Sequence, residues 1–141
     1  VILLSGLPGT GKDTWIGKYC SGMPVVSLDA IREEQGISPL DNQSRVVDLA
    51  RNQARELLRQ KQPFVWNATN LIPQTRQKQI QLFESYGAAV RIVYLETSWQ
   101  EQLRRNADRE AAVPEYAICH MLEKLSPPEG WEGERVIWQC I

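Results

Sequence analysis

The 141 residues suffice for one domain with its own core, and a formal net charge of −1 excludes a broad basic field that grips long duplexes nonspecifically. The composition, 43% hydrophobic and 23% charged, is that of an ordinary soluble globular protein, and no apolar stretch reaches transmembrane length. Cys20, Cys119 and Cys140 are odd in number and widely spaced, without a CxxC pair or matching histidines, which predicts reduced, buried thiols in a cytoplasmic protein.

The chain opens on the apolar run Val1-Ile2-Leu3-Leu4, without an initiator Met, as expected of a domain excised from a longer polypeptide. Such a continuous run suits a buried central parallel strand. Gly6-Leu7-Pro8-Gly9-Thr10-Gly11-Lys12-Asp13 follows and leads into an amphipathic segment. A strand before and a helix after this pattern make it a phosphate-binding loop. Its glycines let successive N–H groups converge on one anion, the helix adds the positive end of its dipole, and Lys12 reaches the β- and γ-phosphates. Gly6, Pro8, Gly9, Thr10, Gly11, Lys12, Asp13 and Thr14 are the expected nucleotide contacts, with ATP as the default donor. Where this motif has a Mg²⁺-binding Ser or Thr, the chain has Asp13. A carboxylate also ligates Mg²⁺, so Asp13 is expected to be a metal ligand, with a plain helix-start residue as the alternative.

The first helix is expected over about Lys12–Cys20, with Trp15, Ile16 and Tyr19 facing inward. Val25–Leu28 is the second predicted strand, and Asp29 opens a short helix through Glu34. After a break at Gly36–Pro39, Asp41 or Ser44 caps a long helix to about Gln60. Pro63–Trp66 is the third strand and ends in Asn67-Ala68-Thr69-Asn70. Pro73 starts a helix that Gly87 closes, and Val90–Leu95 is the fourth strand. Ser98 caps a helix carrying Arg104, Arg105 and Arg109. A helix over about Glu115–Leu125 and a last strand at Arg135–Trp138 complete the chain. Alternating strands and helices predict an α/β fold: a parallel sheet of about five strands, helices on both faces and a small helical lid. Ligands of such a sheet lie at the carboxyl ends of its strands. His120 and most of the tryptophans are expected to be structural, with Trp131 the exposed exception.

Phosphoryl transfer requires positioning and charge neutralisation beyond the loop and metal. Asp29, at a strand end, is the expected carboxylate beside the acceptor hydroxyl, and a helix N-cap role is compatible with that. Arg32 is expected to bind an acceptor phosphate or pair with Asp29; a solvated helix charge is the alternative. Arg105 and Arg109, spaced i and i+4, are expected to project from one helix face toward the transferred group. Interleaved Asp108 and Glu110 leave a simple charged helix as the competing reading. Thr69 and Asn70 either contact the substrate or order the phosphate-binding loop.

These pieces together resemble the 5′-hydroxyl polynucleotide kinase family. The resemblance rests on the loop with Thr14-Trp15, Ser27-Leu28-Asp29-Ala30-Ile31-Arg32, Ala68-Thr69-Asn70-Leu71, and Arg105-Asn106-Ala107-Asp108-Arg109 leading to Ala112-Val113-Pro114. It implies a P-loop kinase that phosphorylates the 5′-hydroxyl end of RNA or DNA in repair, with an NTP and Mg²⁺ as cofactors. It further implies Asp29 as general base, Arg32 on the acceptor's 3′-phosphate and Arg109 as the lid arginine, with Lys12 keeping its phosphate role. Asp13 and Ala68 depart from the family pattern. An Asp after the loop lysine is similar to bacterial forms fused to an HD-type phosphohydrolase, which implies a fused or associated phosphatase module. Two other functions compete: a small-metabolite or nucleotide kinase of the same fold, and a noncatalytic nucleotide-binding module that regulates a partner.

Overall fold

In the computed structural model, which describes residues 1–38, 40–109 and 112–141, five parallel strands form one sheet in the order β2-β3-β1-β4-β5. The strands are β1 (Ile2–Ser5), β2 (Val25–Ser27), β3 (Val65–Asn67), β4 (Arg91–Glu96) and β5 (Arg135–Cys140). Between them run α1 (Lys12–Tyr19), α2 (Leu28–Gln35), α3 (Ser44–Arg59), α4 (Pro73–Ser85), α5 (Trp99–Ala107) and α6 (Glu115–Lys124). The predicted break at Pro39 and the charge at Glu110 fall outside the described residues.

Strand alternation divides the core into two layers. Leu3, Trp66 and Ile92 face α2, α3 and α4, with Ile31, Val46, Ala50, Ile80 and Phe83 packed against them. Leu4, Val65, Val93 and Leu95 point the other way, toward Cys20 and the half-buried Trp15 and Ile16 of α1. The central strand pairs Leu3 with Trp66 on one side and Leu4 with Val93 on the other. Its phosphate-loop end is therefore held in the middle of the sheet. Among the described residues no helix is long and apolar enough to cross a membrane.

Several local expectations shift. β2 stops at Ser27, and Leu28 is already helical because the Ser27 hydroxyl accepts from Ala30 N at 3.3 Å. Ser27, rather than Asp29, is thus the cap of α2. Neither Asp41 nor Ser44 caps α3: its N-cap is Gln43, whose side chain is drawn to Ser38 O and Asp41 O. Tyr19 is 54% exposed, turned away from the core that Trp15 and Ile16 join. Of the three thiols only Cys20 is buried; Cys119 and Cys140 lie on outward positions of α6 and β5. His120 is likewise exposed and faces Glu123 at 3.7 Å. Trp131 is exposed as expected, but so are Trp138 and the outer edge of Trp99.

Candidate active site

The loop between β1 and α1 curls where glycine permits it. Gly9 has φ +84°, and a Cβ there would come within 2.8 Å of Gln102 O, so the loop can lie directly on α5. Gln102 Nε2 donates to Pro8 O at 3.0 Å, and the buried Thr10 hydroxyl donates to Leu7 O at 2.8 Å. Thr10 thus shapes the turn with both its side chain and its backbone, since its N–H also donates to Leu7 O at 3.3 Å. Among the described residues the backbone N–H groups of Gly9, Gly11, Lys12 and Asp13 have no protein acceptor. Convergent free N–H groups at a helix start fit the phosphates of a nucleotide.

Lys12 folds back over the loop, and its Nζ donates to Gly6 O at 2.9 Å and Leu7 O at 3.0 Å. Burial pushes its ammonium down to about 8; Asp29 and Asp13 oppose that shift and Arg109 adds to it. The neutral amine therefore appears in the free protein above about pH 8, and it cannot neutralise phosphate. The kcat/KM for the nucleotide should fall about tenfold per pH unit above that value. A pH profile flat through pH 9.5 would remove Lys12 from nucleotide capture.

A cavity of about 220 Å³ opens in front of the loop, lined by Lys12, Asp13, Thr14, Asp29, Arg105 and Arg109. Asn67, at the end of β3, lines it too and donates from Nδ2 to Asp13 Oδ1 at 2.9 Å. The other Asp13 oxygen, Oδ2, has no partner among the described residues. One free carboxylate oxygen beside an anion nest suits a divalent cation whose remaining ligands are phosphate oxygens and water. Arg105 is held at the rim by Glu101 at 2.9 Å and reaches Thr10 O at 3.4 Å. Hydrogen bonds from Arg104 and then Arg105 pull the Glu101 carboxyl down to about 2, so this clamp stays charged.

Asp29 joins this cavity to a second one. Its carboxylate, with the side chain 58% exposed, lies 2.5 Å from Arg32 Nη1 and 3.3 Å from Arg109 Nη2, one oxygen to each arginine. Arg32 is aimed by Gln43 Oε1, 2.6 Å from its Nε. Arg32, Ala68, Thr69 and Val113 line the second cavity, and Lys12, Asp29 and Arg109 line both.

The helical spacing expected of Arg105 and Arg109 is not what brings them together. α5 ends at Ala107, and Arg109 lies beyond it. The buried Asn106 turns the chain out: its Nδ2 donates to Val113 O at 2.6 Å, and its Oδ1 accepts from Val113 N at 3.0 Å. Of the strand-end pair, Thr69 lines the second cavity, whereas Asn70 is 3% exposed and donates to Leu4 O at 2.5 Å. The Asn70 side chain therefore orders the loop's entry strand and does not face a substrate. Sequence reasoning missed Asn67 and Asn106 as site-shaping residues; for Asn106 the local hint was its place directly after Arg104 and Arg105.

The family model described as an AAA domain matches residues 1–128. Human heterogeneous nuclear ribonucleoprotein U-like protein 2 is 26% identical over 92% of this chain and 20% of its own length. The L-seryl-tRNA(Sec) kinase of Methanococcus maripaludis is 23% identical over 98% of this chain and 55% of its own. The chain thus spans about a fifth and about half of these relatives. Among solved structures, a putative kinase from Chloroflexus aurantiacus has a TM-score of 0.77 at 16% identity, covering 99% of this chain and 83% of its own. A chain of the Pnkp1/Rnl/Hen1 complex has a TM-score of 0.68 at 19% identity, covering 81% and 40%. The fold is that of the P-loop kinases.

Proposed function

The chain belongs to the AAA domain family, and from that premise we propose that it transfers the γ-phosphate of a nucleoside triphosphate to the 5′-hydroxyl end of RNA or DNA. The observation that carries this reading is the position of Asp29 between an anion-binding cavity and an acceptor cavity, with an arginine on each carboxylate oxygen. The acceptor side adjoins an outer groove along Ile37 and Ser38, also bordered by Asp29, Arg32 and Val113, which gives a polymer a path away from its reacting end. Arg32 sits where it would meet a phosphate next to the terminal hydroxyl. The likeness to the Pnkp1/Rnl/Hen1 chain is one of fold and is compatible with this assignment.

In the proposed reaction Asp29 accepts the proton of the 5′-hydroxyl as that oxygen bonds to the γ-phosphorus. The bond from the γ-phosphorus to the bridging oxygen breaks, and the nucleoside diphosphate leaves. Lys12, Arg109 and the loop N–H groups neutralise charge on the phosphates. ATP is the default donor, and Asp13 would hold a Mg²⁺ ion that would offset the charge of the phosphates. Substrate must first loosen Asp29 from its two arginines, whose charge an incoming phosphate can take over.

Asp29→Asn keeps the shape of the side chain and removes the base. Transfer of radiolabelled γ-phosphate to a 5′-OH oligonucleotide should fall about a hundredfold, with nucleotide binding retained. Full activity in this variant would overturn the base assignment. A second reading, phosphorylation of a smaller hydroxyl acceptor, is favoured by the inner acceptor cavity, only about 70 Å³ in volume. The similarity to L-seryl-tRNA(Sec) kinase supports it as well. If the wild-type protein binds nucleotide but leaves the oligonucleotide unlabelled, that reading replaces the first.

A further inference from the structure

Asp13 carries two oxygens into a cleft where the loop motif ordinarily has one hydroxyl, and the structure treats the two differently. Oδ1 accepts from Asn67 Nδ2 at 2.9 Å, while Oδ2 has no partner among the described residues. Both residues line the phosphate cavity. We infer that Asn67 determines which cation this site accepts, by occupying one Asp13 oxygen and leaving the other as a single, monodentate ligand.

Asn67 is well placed for this task. It is 7% exposed and sits in the sheet at the carboxyl end of β3, in register with Ser27 of β2. Its side chain is short and has few rotamers, so a strand-anchored amide holds the Asp13 carboxylate in one orientation. The contact joins positions 54 residues apart, the end of β3 and the first turn of α1. Only the amide nitrogen of Asn67 can face a carboxylate oxygen favourably, which fixes its flip.

Monodentate presentation discriminates between hard cations. Mg²⁺ demands near-octahedral geometry, keeps several waters and takes one oxygen from each carboxylate. Ca²⁺ accepts six to eight oxygens and commonly takes both from one carboxylate. With one lone pair of Oδ1 engaged and the carboxylate held in one orientation, the bidentate mode is disfavoured and Mg²⁺ keeps its preferred arrangement. Without Asn67, Asp13 is free to rotate and chelate. Residues that orient a metal ligand typically change metal affinity by about ten- to a hundredfold when removed.

The inference rests on Asp13 as a metal ligand, and the experiment separates the two claims. Binding of a fluorescent, non-hydrolysable ATP analogue is titrated with Mg²⁺ and, separately, with Ca²⁺, in wild type, Asp13→Ala, Asn67→Ala and Asn67→Ser. The Mg²⁺-over-Ca²⁺ preference should drop about tenfold in both Asn67 variants. In an Asp13→Ser background, whose hydroxyl cannot chelate, replacing Asn67 should leave the preference unchanged. A purely structural Asn67 would lower stability without moving that ratio. If Asp13→Ala leaves the Mg²⁺ effect intact, the metal-ligand reading of Asp13 falls. If Asp13→Ala removes it while both Asn67 variants keep the wild-type ratio, that reading stands and the role assigned to Asn67 is overturned.

Discussion

Lys12→Met should lower phosphoryl transfer by on the order of a thousandfold and, at pH 7, raise the melting temperature. The loss follows from the only lysine among the described residues lining the phosphate cavity, poised over the loop at 2.9 and 3.0 Å from two of its carbonyls. Nucleotide affinity should weaken in parallel, since the same charge meets the phosphates in ground state and transition state. The gain in stability has the opposite origin. Burial holds the folded ammonium at about 8 against its ordinary 10.5, so the unfolded chain binds this proton more tightly. Below pH 8 the folded protein bears the whole cost of burying the charge. Wild-type stability recovers as pH rises from about 8 to 10.5, so the advantage of the Met variant should shrink over that window and vanish above it. Melting curves at pH 7 and pH 10 test this. A variant less stable than wild type at pH 7 would show that the two carbonyl hydrogen bonds outweigh the burial of charge.

Glu132→Ala should be strongly destabilising, lowering stability by about 3–5 kcal/mol. Arg76 and Glu132 form a bidentate pair, Nε to Oε1 at 2.7 Å and Nη2 to Oε2 at 3.1 Å, with both side chains fully buried. Removing the carboxylate leaves a guanidinium without its counter-charge in the core, and also leaves Glu129 N, which donates to Oε2 at 2.7 Å, without its acceptor. Against a total stability of about 5–15 kcal/mol this corresponds to a melting temperature lower by about 10 °C or more. The damage should reach the loop. Arg76 Nη1 also donates to Asn70 O at 2.8 Å, the carbonyl that accepts from Ser5 Oγ at 2.9 Å. Next to it, Thr69 O accepts from Gly6 N at 2.9 Å. Nucleotide binding should therefore weaken in Glu132→Ala well below its melting point. An apolar pair, Arg76→Met with Glu132→Leu, should recover most of the stability, because it removes both charges together. Single variants that melt like wild type would remove this pair from the framework of the loop.

How far the sequence reached depends on the range of each signal. The loop, the helix start behind it and the strand–helix alternation are local patterns, and a five-stranded parallel sheet with its ligand edge at the loop follows from them. Asp29 and Arg32, three residues apart on one helix, also meet as their spacing implies. Arg109 reached the cavity by another route: a local period of 3.6 residues predicted a helix, and the tertiary clasp of Asn106 on Val113 ended it. Asn70 shows the same limit. A polar strand-end residue reads equally as a substrate contact or a structural tie, and only its burial against Leu4 distinguishes them.

By itself, then, the sequence determined the fold class, the phosphate-binding loop and the set of charged residues at one sheet edge, because each is written within a few neighbouring positions. Tertiary structure alone decided which oxygen of Asp13 is free, which cation neighbours Lys12, and that Arg76 and Glu132, 56 residues apart, meet in the core. Those outcomes depend on distances across the sheet, and backbone propensity and side-chain periodicity carry no information about partners so far apart in the chain.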